Sequence, residues 1–163
     1  MKKYAALCLL ALLVSCGSPA PQRSPAASRV SQYAPPSREQ AREVVMYALG
    51  LMDIDYRFGG KNPESGLDCS GMVRYIYRNA LGVDLPPSAA GIAQIGREIE
   101  AARLAPGDLV FFNTTGKPFS HVGIYLGNDR FIHAPSSNGK IKVSSLKTTY
   151  YAKRLEAART LFD

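Results

Sequence analysis

The start of one helix constrains the fold of this chain more than any other feature. Residues 67–71 read LDCSG and stand between a glycine-containing segment and an apolar pattern of helical spacing. Asp68 is a good N-cap residue. The apolar residues that follow recur at helical spacing, at Cys69, Met72, Val73, Ile76 and Ala80. Gly82 is a typical residue just past a helix end. We therefore expect Cys69 in the first turn of an amphipathic helix, where that helix meets the core.

The remaining patterns are typical of an α+β domain. Ser37 begins a capping-box sequence, and apolar residues then recur at helical spacing from 44 to 52. Ser88 is a candidate cap for a shorter helix that ends near Gly96. Apolar stretches bounded by turn residues predict strands at 109–112, 121–126, 130–134 and 140–143. Helices followed by antiparallel strands indicate an α+β fold.

The N-terminus has the layout of an export signal. Lys2 and Lys3 precede ten apolar residues, 5–14, a stretch too short to span a bilayer as a helix. The sequence LVSC at 13–16 resembles the lipobox of bacterial lipoproteins, in which the leader is cut before the cysteine and the cysteine is acylated. We expect 1–15 to be a signal peptide and Cys16 to carry a lipid anchor. The alternative is an ordinary signal peptide with an incidental cysteine.

The segment after Cys16 is rich in proline, serine and alanine and has no apolar periodicity, so residues 16–36 are predicted to be a lipidated tether. The folded domain is then expected at 37–163. In bacterial lipoproteins an aspartate after the lipidated cysteine commonly causes retention in the inner membrane. Gly17 stands there instead, which favours the outer membrane, facing the periplasm, if the organism has one.

The net charge of the chain is compatible with a cell-envelope protein but does not identify a ligand. The chain has 20 basic and 13 acidic side chains, a net charge of +7, which becomes +5 without Lys2 and Lys3. The basic residues are scattered and form no stripe interleaved with aromatic residues, so nucleic acid is not an expected partner. A mildly cationic exported protein is compatible with an anionic polymer or lipid surface.

Cys69 is the expected free thiol of the exported chain, because Cys8 would leave with the leader and Cys16 would carry lipid. An unpaired cysteine in an exported protein is a candidate reactive thiol. The backbone N–H groups and positive dipole at a helix start favour the thiolate, so we expect a lowered pKa for Cys69. The alternative is a buried cysteine that acts as a small apolar residue.

The chain has two histidines, His121 and His133, on two predicted strands joined by a short connection. A two-residue turn at 128–129 would pair Ile124 with His133 and place the histidines on opposite faces of the sheet. A three-residue loop at 127–129 would pair Gly123 with His133 and make the histidines diagonal neighbours, about 7–8 Å apart at the backbone. Glycine at 123 would leave room for the imidazole. A catalytic pairing therefore predicts the three-residue loop.

These residues suggest a nucleophile, its base and a third polar group. Cys69 would attack a carbonyl carbon, His121 would accept its proton, and His133 would bond the other nitrogen of His121. The Cys69 N–H, with the Tyr56 hydroxyl as a second donor, would stabilise the oxyanion. Asp68 opposes ionisation of the thiol, so we expect it to face backbone N–H groups or a cationic part of the substrate.

Two alternatives concern the same residues. Cys69, His121 and His133 could together bind zinc, although no Cys/His pair has the usual finger spacing. His133 could instead be a buried core histidine with its hydrogen bonds satisfied. No cofactor is expected.

Five motifs in order resemble those of NlpC-type cell-wall cysteine peptidases. They are YRFGG at 56–60, DCSG at 68–71, PGDLVFF at 106–112, HVGIY at 121–125 and FIHA at 131–134. The resemblance covers about 40–163 and implies a papain-like α+β fold and cleavage of peptidoglycan stem peptides or their cross-links. It implies Cys69 as nucleophile, His121 as base and His133 as the polar third member, with Tyr56, Asp68 and Ser70 lining the substrate site. The chain departs from many relatives at 87–88 and 92.

Two other functions would use or retain the same residues. An acyltransferase would pass the acyl group from Cys69 to an amine or alcohol instead of water. A wall-binding lipoprotein would keep the fold without catalysis, an alternative against which the complete set of Cys69, His121 and His133 argues.

Overall fold

The structure is a computed structural model that describes residues 35–137 and 139–163. The predicted signal peptide, Cys16 and nearly all of the predicted tether lie outside these residues. Across the part of the chain that is described, no helix is long and apolar enough to cross a membrane.

Most helical residues precede the strands of the main sheet, as expected of an α+β domain. The helices are α1 (Ala41–Leu49), α2 (Cys69–Leu81), α3 (Ala89–Ile92) and α4 (Thr149–Ala152). The strands are β1 (Lys61–Asn62), β2 (Gly66–Leu67), β3 (Arg97–Ile99), β4 (Leu109–Phe112), β5 (His121–Gly127), β6 (Arg130–His133), β7 (Lys142–Ser145) and β8 (Leu155–Thr160). Single 3-10 turns lie at Arg38–Gln40 and Ala101–Arg103.

Six of the strands form one antiparallel sheet in the order β3-β8-β4-β5-β6-β7, and β1 and β2 form a small separate hairpin. The predicted strand at 109–112 is confirmed. The strand predicted at 140–143 is wrong by two residues, because the backbone of Ile141 bonds to Asp53 and Ile54 in the loop after α1. Strands β3 and β8 were not predicted, since β8 (LEAART) is mixed in polarity and has no strong alternation.

The central strands are buried on both faces, which separates the core into two clusters. Helices α1 and α2 cover one face, where Phe111, Val122 and Ile124 point into the larger cluster. The opposite face carries a smaller cluster of Val110, Phe112, Tyr125 and Phe131. Because successive side chains alternate along a strand, the residues of β5 with odd numbers, including His121, belong to the second face.

A partly buried ion pair and two further contacts of Arg38 join the start of the domain to its end. Asp108 is fully buried, and its Oδ1 accepts a hydrogen bond from Arg38 Nη1 at 2.9 Å. Arg38 Nη2 also donates to Thr160 Oγ1 at 2.8 Å, and its guanidinium lies 5.0 Å from the ring centre of Phe162. The segment just before α1 is therefore fixed against the turn before β4 and the end of β8.

Candidate active site

Cys69 is the first residue of α2, as expected, and Asp68 is the N-cap. Oδ1 of Asp68 accepts from the Gly71 N–H at 2.6 Å, which satisfies one of the unpaired donors at the helix start. Its Oδ2 accepts from the Gly59 N–H at 3.0 Å. Asp68 therefore faces backbone N–H groups, one of the two orientations that we expected, and it connects the helix start to the preceding loop.

Close backbone packing fixes that loop against α2. A Cβ at Gly71 would lie 2.0 Å from the Gly60 carbonyl oxygen, and a Cβ at Gly60 would lie 2.2 Å from the oxygen of Gly66. Side chains at these positions are therefore excluded, and the β1–β2 hairpin can lie directly on the first turn of the helix. The absence of a side chain at Gly60 therefore allows close backbone packing as well as a turn.

The Cys69 thiol is mostly buried, and burial is the largest influence on its ionisation. Burial raises the pKa of Cys69, and the negative charge of Asp68 raises it further. The N–H groups of Val122, Ser70 and Cys69 itself lower it but do not outweigh burial. The expectation of a lowered pKa is therefore wrong, because the helix-start effect is smaller than the cost of desolvating a thiolate.

The two histidines meet, although the turn between their strands is not the predicted one. The tip is a two-residue turn at Asn128 and Asp129, both with positive φ (52° and 56°), and Gly127 pairs with Arg130. The register then shifts between Tyr125 and Gly127, so that Tyr125 pairs with Phe131. The prediction of a three-residue loop is thus wrong. The bulge at Leu126 nevertheless gives the two strands the same register that a three-residue loop would have given.

His121 Nε2 lies 2.9 Å from His133 Nδ1, and the ring planes are perpendicular at a centroid distance of 5.0 Å. The pair packs against three aromatic side chains on the same face of the sheet, Phe112, Phe131 and Tyr151. Burial in this cluster lowers the pKa of His121 to about 4 and that of His133 to about 2, the latter helped by the charges of His121 and Lys142. Both imidazoles are neutral at pH 7.

The outer nitrogen of His133 has partners that the sequence analysis missed. His133 Nε2 lies 2.9 Å from Ser144 Oγ and 3.3 Å from Tyr151 Oη. Ser144 is on β7 and Tyr151 is on α4, and neither has a local spacing relation to the histidine. The buried-histidine alternative is right in that His133 is fully buried with both nitrogens bonded, but one of those bonds is to His121.

The three residues expected to line a substrate site differ in their surroundings. Tyr56 is half-buried. Burial raises the pKa of its phenol most, and the negative charges of Cys69 and Asp68 raise it further, so the phenol lies close to the thiol. Ser70 is buried, and its hydroxyl lies within bonding distance of Asp68 Oδ1 (3.0 Å) and the Pro87 carbonyl (3.2 Å). Asp68 and Ser70 therefore hold the helix start together, and Tyr56 lies near enough for the charge of Cys69 to raise its pKa.

No group of three His, Cys, Asp or Glu side chains is placed to hold a metal ion within residues 35–137 and 139–163. The zinc alternative does not fit the geometry, since the facing nitrogens of His121 and His133 bond to each other.

The fold is that of the papain-like α+β class, which solved relatives share. The chain belongs to the NlpC/P60 family, whose model matches residues 53–160. It is 38% identical over 136 residues to the probable endopeptidase NlpC of Escherichia coli K12, an alignment that covers 78% of this chain and 87% of that protein.

Two further relatives show the same likeness. The chain is 41% identical over 110 residues to murein DD-endopeptidase MepS/murein LD-carboxypeptidase of Escherichia coli K12, covering 68% of this chain and 57% of that protein. The crystal structure of the NlpC/p60 domain of the peptidoglycan hydrolase SagA superposes with a TM-score of 0.65 at 32% identity, covering 74% of this chain and 97% of that domain. For two other curated relatives the chain spans 28% and 40% of their length.

Proposed function

We propose that the protein is a cysteine endopeptidase that hydrolyses peptide bonds in peptidoglycan stem peptides or their cross-links. Cys69 is the nucleophile, His121 is the base and His133 orients His121. The contact between His121 Nε2 and His133 Nδ1 carries this proposal, because it leaves Nδ1 of His121 available to the thiol. The N–H of Val122, the residue that follows His121, lies near the thiol and lowers its pKa. The names of the relatives support the choice of substrate.

The reaction begins from a neutral pair, because burial raises the pKa of Cys69 and lowers that of His121. The thiol proton passes to Nδ1 of His121 as sulfur attacks the carbonyl carbon. The C–N bond then breaks, His121 protonates the departing amine, and a thioester remains on Cys69. Water, deprotonated by His121, attacks the thioester, which releases the carboxylate product and restores the thiol.

The oxyanion is stabilised at the start of α2. The Cys69 N–H lies at the positive end of the helix, where donors are not used by intrahelical bonds. The Tyr56 phenol lies close to the thiol and supplies a second donor. Asp68 fixes the helix start against the preceding loop, because its carboxylate accepts from the Gly71 N–H and the Gly59 N–H at the same time.

Digestion of purified peptidoglycan, with the products identified by mass, tests this function. We expect the wild type to release cleaved stem peptides and Cys69→Ala to release none. Asn79→Ala, a change on the exposed far end of the same helix, is the control and should cut as the wild type does. Cleavage by Cys69→Ala would overturn the assignment. If digestion in the presence of an added amine gives stem peptides joined to that amine, the protein is an acyltransferase. If the wild type leaves the peptidoglycan intact, it is a binding protein.

We propose in addition that Cys16 is lipidated and that the domain is held at the outer membrane, facing the periplasm, through the tether at 16–36. The lipobox-like sequence at 13–16 and glycine at 17 support this proposal. Labelling cells with an alkyne analogue of palmitate should mark the wild type and not Cys16→Ala, with Cys69→Ala as the matched cysteine control. Equal labelling of Cys16→Ala and Cys69→Ala would contradict lipidation of Cys16. Recovery of the wild type in the inner-membrane fraction would contradict the proposed location.

A further inference from the structure

We propose that Ser144 and Tyr151 are positioning residues that hold His133 in the tautomer with its proton on Nε2. This inference deepens the proposed function, on which it rests, by extending the line Cys69–His121–His133 with two hydroxyl groups. Neither hydroxyl touches the reacting atoms, and both act through His133.

The two hydroxyls converge on one nitrogen from different elements. Strand β7 lies beside β6, and Ser144, which pairs with Phe131 in the ladder, reaches diagonally to His133 Nε2 at 2.9 Å. Tyr151 reaches the same nitrogen from α4 at 3.3 Å. The Tyr151 ring packs on those of Phe131 and His133, at centroid distances of 4.9 and 5.2 Å, so its hydroxyl is held in this position by packing.

The need for one tautomer follows from the proton count along the line. To accept the thiol proton, Nδ1 of His121 must be free of hydrogen, so the hydrogen of neutral His121 is on Nε2 and is donated to His133 Nδ1. His133 must then carry its own hydrogen on Nε2 and needs an acceptor there. In the opposite tautomer, His133 would donate from Nδ1 and force the hydrogen of His121 onto its own Nδ1, the nitrogen that has to accept the thiol proton. That state is inactive.

Two hydroxyl oxygens lie at the nitrogen that needs the acceptor. A hydroxyl can accept as well as donate, so Ser144 Oγ at 2.9 Å and Tyr151 Oη at 3.3 Å can each accept the hydrogen bond from Nε2–H of His133. Loss of either hydroxyl removes one of the acceptors that stabilise this tautomer, and loss of the nearer one, Ser144, should matter more.

The burial of His133 makes its tautomer important for the site. His133 is fully buried, and leaving its Nε2–H without an acceptor would cost free energy that water cannot recover. Lys142 pairs with His133 across the ladder, and its positive charge opposes protonation of the imidazole. His133 therefore stays neutral, and its tautomer decides whether His121 can act as a base.

Nitrogen NMR of the two imidazoles tests the inference directly, since the chain has two histidines in all. The full-length chain is labelled with ¹⁵N and purified with a tag that contains no histidine. We expect wild-type His133 to carry its hydrogen on Nε2. In Ser144→Ala we expect a measurable population with the hydrogen on Nδ1, together with a fall in kcat of about tenfold and little change in KM. Tyr151→Phe, which keeps the ring, should shift the tautomer in the same direction by less.

Two matched variants separate positioning from general damage. Ser144→Thr keeps the hydroxyl and should retain the wild-type tautomer and most of kcat. Ser145→Ala changes the neighbouring residue, whose hydroxyl accepts from the Lys147 N–H, and should match the wild type in both readouts. A Ser144→Thr that fails as badly as Ser144→Ala would overturn the inference.

Different experimental results would contradict the positioning role and the proposed function. A fall in kcat in Ser144→Ala with an unchanged His133 tautomer would overturn the positioning role and leave the peptidase assignment intact. A tautomer that shifts in Ser144→Ala, in a protein whose wild type cleaves no peptidoglycan, would support the positioning role and overturn the assignment.

Discussion

The absence of a side chain at Gly123 makes room for His133. A Cβ at position 123 would lie 3.3 Å from Cβ of His133, 2.7 Å from Cδ2 of Phe131 and 2.9 Å from the carbonyl oxygen of Ile132. The last of these atoms is backbone in the central sheet and cannot move aside without disturbing the ladder. The histidine pair therefore depends on a glycine in the neighbouring strand.

We expect Gly123→Ala to lower the free energy of unfolding by about 1–3 kcal/mol and to reduce kcat, because the overpacked site displaces His133 from His121. Chemical denaturation and turnover measure the two effects. Gly50→Ala is the control, since its Cβ would make ordinary contact, 3.4 Å from the Tyr47 carbonyl oxygen, and should change neither by much. Full activity in Gly123→Ala would contradict this account of the pair.

Stability should fall in acid because the unfolded chain takes up protons that the folded site excludes. In the unfolded chain both histidines titrate near 6.5, whereas in the folded protein the pKa is about 4 for His121 and about 2 for His133. The stabilisation is therefore complete above pH 6.5 and is lost as pH falls toward 4. Each histidine should cost about 1.4 kcal/mol per pH unit in that window.

Urea unfolding at a series of pH values measures this slope. The double variant His121→Gln/His133→Gln cannot take up these protons in either state, so its stability should depend less on pH between 6.5 and 4. Equal slopes for the wild type and the double variant would show that the histidines are already protonated in the folded protein.

Alkylation of Cys69 by iodoacetamide should follow the thiolate and rise with a midpoint above pH 9.0, because burial raises the pKa of the thiol. Asp68→Asn removes a charge that raises this pKa, so its midpoint should be lower. Asp84→Asn, a change in an exposed residue beyond the far end of α2, is the control. A wild-type midpoint below pH 7 would instead indicate a thiolate–imidazolium pair in the free protein.

Removal of Arg38 should destabilise the domain by about 3 kcal/mol, because Asp108 would stay buried without its cationic partner. Arg78→Ala breaks an ion pair whose side chains are 63% and 72% exposed, and it should cost less than about 1 kcal/mol. Thermal and urea unfolding of both variants give the comparison. Similar losses in the two variants would show that burial does not set the value of the Arg38 pair.

Local patterns predicted those parts of the structure that depend on neighbouring residues in the chain. The start of α2 at Cys69, its Asp68 cap and its end at Gly82 all follow from helical spacing and capping chemistry. The strand at 109–112 and the need for glycine at 123 follow from alternation along a strand. The helix capped by Ser88 begins as expected but ends at Ile92, since its apolar pattern is too short to fix an end.

The remaining features depend on residues that are distant in the chain. Burial of Cys69 comes from packing against β5, so the sequence could not show that burial outweighs the helix-start effect. Ser144 and Tyr151 meet His133 only because β7 and α4 lie beside β6. Turn residues predicted a connection at 127–129 but not its register, because a bulge changes the register without changing the turn.

The bulge at Leu126 marks a position where the hairpin can lose a residue without separating the histidines. Deletion of Leu126 would leave Gly127 paired with Arg130 and Tyr125 paired with Phe131, so His121 and His133 would still share a face. Deletion of Ile124, in the paired part of β5, would instead place the two histidines on opposite faces. We therefore expect the domain without Leu126 to keep its histidine pair and the domain without Ile124 to lose catalysis.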